Sequence, residues 1–195
     1  MFRATADDVP PLAAALARAF DDDPLMTWVF PRADTRPARM AGLFSLILRT
    51  HHLRRGEVWA ADGCTAAAAW CAPEQWRIPA GQQARNFVPV TRLVGLRLFT
   101  ELRGLVEAER HHPTVAHWYL GVLGVDPAHQ GTGLGSALLA PMLERCDADG
   151  LGAYLEASKH STLSFYARHG FEVTDKIRLG KGPEIWGMWR EPVSS

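Results

Sequence analysis

Residues 118–135 read W-Y-L-G-V-L-G-V-D-P-A-H-Q-G-T-G-L-G, and this stretch decides the fold of the chain. Its apolar first part, Trp118–Val125, predicts a buried strand, and the glycines that follow predict a tight loop. A helix is predicted next, over residues 132–147, with Leu134 and Leu138 on its buried face. The order of strand, glycine loop and helix collects free backbone N–H groups and the positive end of a helix dipole at one point. Such a point binds a pyrophosphate.

Several glycine motifs could explain this loop. The Walker A pattern is excluded because no lysine follows the glycines. The dinucleotide pattern G-x-G-x-x-G fails because Ser136 stands where the third glycine should be, and because no second nucleotide-binding half follows. The remaining pattern is Gln130-x-x-Gly133-x-Gly135. A loop whose glycines serve tight turns alone stays open as the structural alternative.

The composition describes one ordinary globular domain, which we predict to span residues 1–195. A chain of 195 residues with 47% apolar residues can build its own core. A formal net charge of zero, without a basic stripe, argues against a nucleic-acid partner. No apolar run reaches the length of about 18 residues that a membrane span needs, and the N-terminus does not resemble a secretory signal.

Cysteine and arginine usage indicates where the protein works. Cys64, Cys71 and Cys146 form no C-x-x-C pair, which is typical of free thiols in a reducing cytosol. Eighteen arginines against three lysines, together with many alanines, suggest a GC-rich bacterial genome. We therefore expect a cytoplasmic, bacterial protein.

Strands and helices alternate along the rest of the chain. The further predicted strands are 1–5, 57–61, 65–71, 153–158, 171–178 and 184–190, and Asp62-Gly63 predicts a hairpin between the second and third strands of the chain. The further predicted helices are 9–20, 37–52 and 161–169. This interleaving indicates an α+β or α/β domain with three layers.

Residues 74–112 interrupt the strand pattern. Apolar residues recur there at helical spacing, namely Val94, Leu98, Leu102, Leu105 and Val106. We therefore predict a helical insertion over 74–112 within the single domain.

The loop Gln130-x-x-Gly133-x-Gly135 resembles the acetyl-CoA loop of the GNAT N-acetyltransferase superfamily, Q/R-x-x-G-x-G/A. Two further signatures stand in the same order, the V-x-P turn at Val125–Pro127 and F-Y-x-x-x-G-F at Phe165–Phe171. The resemblance implies a mixed, mostly antiparallel sheet of about seven strands flanked by helices, with two central parallel strands that splay apart. It also implies acetyl-CoA as co-substrate.

Within the superfamily, the chain is most similar to the puromycin N-acetyltransferase-like family. The motifs H-Q-G-x-G-L-G-S, L-E-x-S and G-P-x-x-W-x-M-x-R are present at His129–Ser136, Leu155–Ser158 and Gly182–Arg190. This resemblance implies acetyl transfer to the primary amine of a small molecule, such as an aminonucleoside antibiotic, by direct attack in a ternary complex. We expect a monomer or a homodimer.

The resemblance also implies which residues hold acetyl-CoA. The backbone of Leu123, Gly124 and Val125 would pair with the pantetheine arm, and Thr162, where many relatives have asparagine, would offer the arm a hydroxyl. The residues expected around the pyrophosphate are Gln130, Gly131, Thr132, Gly133, Leu134, Gly135 and Ser136.

Tyr166 and Glu156 are the expected catalytic residues. In related enzymes the tyrosine of F-Y points at the CoA sulfur, and a phenol with a pKa near 10 can protonate a leaving thiolate. Glu156 lies on an apolar strand beside the expected splay, and partial burial makes a carboxylate a better base. Core packing is the alternative role for Tyr166, and a surface ion pair is the alternative for Glu156. His112 and His117 are rival bases.

Three other groups of residues invite functional interpretations. His51-His52 and His111-His112 lack further ligands at metal-binding spacing, so we expect no metal. Asp21–Asp23 form either a solvated helix end or an acidic lip for a cationic amine. Trp28, Trp76 and Phe87 belong either to the core or to an aromatic substrate pocket.

Two other functions stay open at this point. One is acetylation of a peptide or protein amine, and the other is a CoA-binding regulatory module without catalysis. Turnover of acetyl-CoA with an amine separates the enzymes from the module.

Overall fold

The computed structural model describes residues 1–95 and 106–193. Its strands, in chain order, are β1 (Phe2–Arg3), β2 (Gly56–Ala60), β3 (Ala66–Cys71), β4 (His117–Val125), β5 (Gly152–Ala157), β6 (Glu172–Arg178) and β7 (Glu184–Arg190). They form one sheet in the order β1-β2-β3-β4-β5-β7-β6. β4 and β5 pair in parallel, and the other neighbouring strands pair antiparallel. The predicted mixed, mostly antiparallel sheet is confirmed.

Helices cover both faces of this sheet. They are α1 (Val9–Ala19), α2 (Pro24–Val29), α3 (Arg36–Ile47), α4 (Leu53–Arg55), α5 (Ala80–Val94), α6 (residues 106–111), α7 (Leu134–Asp149) and α8 (Leu163–Ala167). A π-helical turn, Leu48–His52, joins α3 to α4. The predicted Leu98, Leu102 and Leu105 of the insertion lie outside the described residues.

Two hydrophobic clusters make the three layers. Successive strand residues point to opposite faces, so β2, β3 and β4 contribute side chains to both clusters. On one face, Leu16 of α1 and Phe44 of α3 are buried in the cluster that contains Ala69 of β3. On the other face, Leu138 of α7 is buried in the cluster that contains Leu155 of β5. The predicted three-layer α+β architecture is therefore confirmed.

The two central strands separate halfway along their length. Parallel pairing joins His117–Leu120 to Gly152–Leu155 and ends there, while β4 continues to Val125. At the same point β4 carries a bulge, because Ala69 opposes Val122 and Trp70 opposes Leu120, which leaves Gly121 as the extra residue. The predicted splay of the central parallel strands is thus present.

Several element boundaries differ from the sequence prediction. The first strand shortens to Phe2–Arg3, and the glycine-loop helix runs from Leu134 to Asp149. The hairpin forms as predicted, but its turn is a single 3-10 turn, Asp62–Cys64, in which Gly63 has φ +72°. No helix in the described ranges has the length and apolar content needed to cross a membrane.

Gly152 offers a direct test of the packing beside the parallel strands. A Cβ at Gly152 would lie 2.1 Å from Cζ2 of Trp189, so Gly152→Ala must displace the indole ring. We expect a loss of about 1–3 kcal/mol in the free energy of unfolding, measured by urea denaturation.

Gly81→Ala in α5 is the matched control, because no heavy atom lies within 4 Å of the added methyl group. It should leave stability unchanged or raise it by up to about 1 kcal/mol. Equal stabilities of the two variants would contradict the packing of Trp189 on Gly152.

Candidate active site

The separation of β4 and β5 opens a cavity of about 630 Å³. Its walls are the diverging ends of the two strands, the glycine loop, α8 and the end of α1. Glu156 and Tyr166 both line it, together with the loop residues Gln130 to Ser136 except Thr132. Two candidate proton-transfer groups and a candidate anion site therefore share one space.

The start of α7 presents a run of free backbone N–H groups. None of the following residues donates its N–H to an acceptor in the described part of the chain: Gly131, Thr132, Gly133, Leu134, Gly135 and Ser136. The first paired amide is that of Ala137, which donates to the Gly133 carbonyl at 3.0 Å. These donors and the helix dipole can bind a phosphate group.

Glycine is needed in this loop for its backbone conformation. Gly131 and Gly133 have φ values of +76° and +83°, in the left-handed region that favours glycine. A Cβ at either position would meet no heavy atom within 4 Å, so no neighbouring residue explains the glycine. Thr132 stabilises the turn by donating its hydroxyl to the His129 carbonyl at 2.6 Å.

The exposed edge of β4 provides further main-chain groups. Asp126 donates its N–H to the carbonyl of Thr65, which directly precedes β3, so by alternation Gly124 also faces β3 while Leu123 and Val125 face the cavity. Gln130 donates from Nε2 to the Val125 carbonyl at 3.1 Å.

Packing explains why β4 contains glycine at two positions. Gly121 is the bulge residue, and a Cβ there would lie 2.6 Å from Cε1 of His52. A Cβ at Gly124 would lie 2.6 Å from Leu16 and 2.9 Å from Phe20, so this glycine lets α1 pack closely on the sheet.

Tyr166 projects from α8 into the cavity. Its ring packs at an edge-to-face angle against Phe165 and Phe171, yet no hydrogen bond ties its hydroxyl to another described residue. Burial raises the pKa of Tyr166, and the nearby Asp23 raises it further. The phenol is therefore protonated at neutral pH and can act as a proton donor. The neighbouring Thr162 donates its hydroxyl to the Lys159 carbonyl at 2.7 Å.

Glu156 lies on β5 and also lines the cavity, and its side chain is 14% exposed. The Tyr119 hydroxyl donates to Oε2 at 2.8 Å, and His112 Nδ1 lies 3.4 Å from Oε1. His117 in turn lies 3.0 Å from His112, measured between their Nε2 atoms. The structure thus brings the three candidate bases together in one cluster.

The aromatic and acidic candidates lie in different surroundings. Trp76 stacks on His112, with ring centroids 3.5 Å apart, whereas Trp28 packs near Gly182 and Phe87 is half exposed. The three aspartates are paired rather than free. Asp21 pairs with Arg36, Asp22 pairs with Lys159, and Asp23 caps α2.

Two polar contacts at the site were missed by the sequence analysis. Tyr119 was not singled out, and neither was the bond in which the Ser158 hydroxyl donates to Asp23. A signal was available for the first, because His117 and Tyr119 on β4 and Tyr154 and Glu156 on β5 are polar residues at alternate positions of apolar strands.

The paired histidines His51-His52 contact a cysteine. Cys71 Sγ lies 3.3 Å from His51 Nε2 and 3.4 Å from His52 Nδ1. Burial lowers the pKa of His52 to about 3 and raises that of Cys71 to about 12, so both are neutral. The described residues contain no group of three or more side chains arranged to hold a metal ion.

Comparison with known proteins identifies the fold and the family. The model of the acetyltransferase (GNAT) family matches residues 13–171. An uncharacterised N-acetyltransferase of Schizosaccharomyces pombe is 26% identical, over 97% of this chain and 82% of the relative. A crystal structure described as histone acetyltransferase HPA2 and related acetyltransferase, from Corynebacterium glutamicum, is 26% identical with a TM-score of 0.75, covering 100% of this chain and 96% of that one.

A more distant structure shares the fold alone. Arylalkylamine N-acetyltransferase 2 from Aedes aegypti has a TM-score of 0.56 at 10% identity, over 97% of both chains. The family model covers far more than half of this chain, and the free amides, phenol and carboxylate described above suit acyl transfer. The protein therefore belongs to the GNAT acetyltransferase family, and it is an N-acetyltransferase that uses an acyl-CoA donor.

Proposed function

We propose that the protein transfers the acetyl group of acetyl-CoA to a primary amine of a small molecule, with an aminonucleoside-type antibiotic as the leading candidate. The observation that carries this proposal is the shared cavity. The free amides of the glycine loop, the Tyr166 hydroxyl and the Glu156 carboxylate all open onto it. Each group suits one task of acyl transfer.

The residues present fit acetyl-CoA as the donor. The free N–H groups from Gly131 to Ser136 would hold the pyrophosphate, since an anion at a helix N-terminus gains both hydrogen bonds and dipole stabilisation. The cavity-facing main chain of Leu123 and Val125 would pair with the amide-bearing pantetheine arm as an added strand. Thr162 lines the same cavity and can accept a hydrogen bond from the arm.

Acetyl-CoA supplies an activated acetyl group as a thioester. Glu156 would accept the proton of the attacking amine, directly or through water, and Tyr166 would donate its hydroxyl proton at the sulfur. A main-chain N–H on the exposed edge of β4 would polarise the carbonyl. The two proposed proton-transfer groups then act from different elements, Glu156 from β5 and Tyr166 from α8.

The cysteines support direct attack over a covalent acyl-enzyme. Burial raises the pKa of Cys71 and of Cys146 to about 12, so neither forms a thiolate at neutral pH. The pKa of Cys64 is also raised, and no histidine bonds its thiol in the described ranges. Direct transfer in a ternary complex is therefore the simplest route.

The insertion supports a small acceptor. Trp76 and His112 stand near its two ends and stack on each other, and His112 Nδ1 lies 3.4 Å from Oε1 of Glu156, which lines the cavity. A peptide substrate requires an open groove instead. The motifs shared with puromycin N-acetyltransferases support the same class, although the last of them also has a structural role: Arg190 forms a bidentate pair with Asp147.

Composition and cysteine usage support the remaining parts of the proposal. We place the protein in the cytoplasm of a bacterium, as one domain over 1–195 that acts as a monomer or homodimer. Zero net charge and free thiols are compatible with that setting.

Release of free CoA decides between the candidate functions. The protein is mixed with acetyl-CoA and three sets of acceptors, namely small primary amines including an aminonucleoside, peptides with a free N-terminus, and peptides with lysine. We expect turnover with small amines. Turnover with peptides alone would favour the protein-acetylating class, to which the name of the Corynebacterium relative points. Tight acetyl-CoA binding without turnover would favour a regulatory module.

Gly133→Ala tests the proposed pyrophosphate site. The new methyl group would project into open space at the loop, where the phosphates are proposed to bind. We expect the Kd for acetyl-CoA to rise at least about tenfold, the equivalent of one lost hydrogen bond to a charged group. Isothermal titration calorimetry measures the change.

Gly150→Ala is the matched control. Gly150 ends the same helix, also has positive φ (+65°) and also has no heavy atom within 4 Å of an added Cβ. Both variants should lose similar stability, whereas Gly150→Ala should keep the wild-type Kd. Similar affinities for the two variants would refute the loop assignment.

Tyr166→Phe tests the proposed general acid. Removing the hydroxyl should lower kcat about 10²–10⁴-fold, because positioned proton transfer contributes that much. The Kd for acetyl-CoA and the Tm should barely change, since the hydroxyl makes no hydrogen bond to a described residue. An unchanged kcat, measured under saturating amine, would remove Tyr166 from the mechanism.

A further inference from the structure

A buried chain of polar groups leads away from Glu156. His112 Nδ1 lies 3.4 Å from Glu156 Oε1, His112 Nε2 lies 3.0 Å from His117 Nε2, and His117 Nδ1 lies 2.7 Å from the Val115 carbonyl. The two histidines are 7% and 2% exposed. Water therefore has little access to them, and their protons must be assigned from their partners.

The position of the proton on His117 follows from its hydrogen-bond partner. A backbone carbonyl only accepts hydrogen bonds, so the proton on His117 must sit on Nδ1. Burial lowers the pKa of His117, so the ring is neutral and its Nε2 is an acceptor. His112 must then donate from its own Nε2.

This assignment leaves one question at His112 Nδ1. If that nitrogen carried no proton, two acceptors would face each other across 3.4 Å, the bare nitrogen and the Glu156 carboxylate. A proton on Nδ1 instead makes His112 an imidazolium beside a carboxylate. The fixed neighbour His117 thus forces one proton to lie between His112 and Glu156.

The surroundings favour the ionic form of this pair. The Tyr119 hydroxyl donates to the other carboxylate oxygen, which stabilises the anion. The Trp76 ring stacks on the His112 ring, which stabilises a cation. Tyr154 also faces the pair, and burial raises its pKa so that it stays neutral.

The remaining charged groups nearby have partners of their own or lie further out. The charge of Asp175 helps to raise the pKa of Tyr154, and Asp175 also pairs with His111. His111 in turn contacts Glu107. Trp189 packs against His117 and adds no charge. Within residues 1–95 and 106–193, Glu156 is the carboxylate paired with His112.

We propose that His112 is a positioning residue for the transfer reaction, an imidazolium that keeps Glu156 ionised and is itself oriented by His117. The inference rests on the proposed role of Glu156 as base. The series of hydrogen-bonded groups from Glu156 through His112 and His117 ends on the Val115 carbonyl, which cannot take up a proton. The series therefore holds a proton but does not conduct one away. A proton that Glu156 accepts from the amine leaves through the cavity.

Nitrogen NMR of histidine-labelled protein reads the proton positions without any turnover. At pH 7, His117 should show the neutral Nδ1–H form and His112 should show two protonated nitrogens, with His112→Gln assigning the signals. Glu156→Gln should convert His112 to a neutral ring. A neutral His112 in the wild type, or one unaffected by Glu156→Gln, would overturn the proposal.

Kinetics then test the consequence for the reaction. His112→Gln cannot become cationic, so kcat should fall about tenfold at pH 7 while the KM for acetyl-CoA stays within about twofold. The loss should grow on the acid side of the pH profile, where an unpaired carboxylate becomes protonated sooner. A loss that is equal at every pH would indicate a merely structural role and would contradict the proposal.

His111→Gln is the matched control, because His111 precedes His112, is partly exposed and contacts Glu107 and Asp175 rather than the chain. Its kinetics should equal those of the wild type. Glu156→Gln distinguishes the base role of Glu156 from the positioning role of His112. If it leaves kcat unchanged, the base assignment fails and the positioning role with it, whereas a neutral His112 beside an essential Glu156 refutes the positioning role alone.

Discussion

Two neighbouring strands that pair over four residues and then diverge leave main-chain donors and acceptors without partners inside the protein. Parallel pairing ends at Leu120 and Leu155, and beyond it the inner edge of β4 faces the cavity. Unpaired backbone groups that lose water cost free energy comparable to a lost hydrogen bond. This edge is therefore where a ligand with its own amide groups can continue the interrupted ladder.

The divergence has a local cause at Gly121. This residue is the extra one in the β3–β4 register, so β4 bends away immediately after its last pair with β5. The imidazole of His52 lies where a side chain on Gly121 would be, and His52 itself stands at the end of the π-helical turn Leu48–His52. Burial keeps that imidazole neutral. The π-helical turn thus places His52 against the bulge at Gly121, and the bulge lies where β4 leaves β5 to open the cavity.

Charge is distributed across the cavity in a way that suits acyl transfer. The free amides at the start of α7 can attract an anion, and Tyr166 and Glu156 line the same cavity. Burial raises the pKa of Tyr166, so its hydroxyl stays protonated. The Glu156 carboxylate accepts a hydrogen bond from Tyr119 and lies 3.4 Å from His112. Asp23 ties α2 to the end of β5 through Ser158, which fixes the wall near Tyr166. The proposed acid and the proposed base thus stand on different elements, α8 and β5.

The sequence by itself determined the features that depend on neighbours along the chain. These are the strand before the glycine loop, the loop itself with Gly131 and Gly133, the hairpin at Asp62-Gly63 and the family that the loop motif indicates. Turn chemistry and helix dipoles act over a few residues, so spacing alone reveals them. Tyr166 and Glu156 stood out for the same reason, as parts of short motifs.

Only the tertiary structure decided which side chains share a site. Tyr119 and Glu156 are 37 positions apart, and their contact depends on the parallel register between β4 and β5. His112 reaches Glu156 because the end of the insertion folds back over that face, and Gly124 is small because α1 packs on it. A register shift by one residue between β4 and β5 would place the side chains of Tyr119 and Glu156 on opposite faces of the sheet. Such contacts are fixed by packing of the whole domain, which local spacing does not encode.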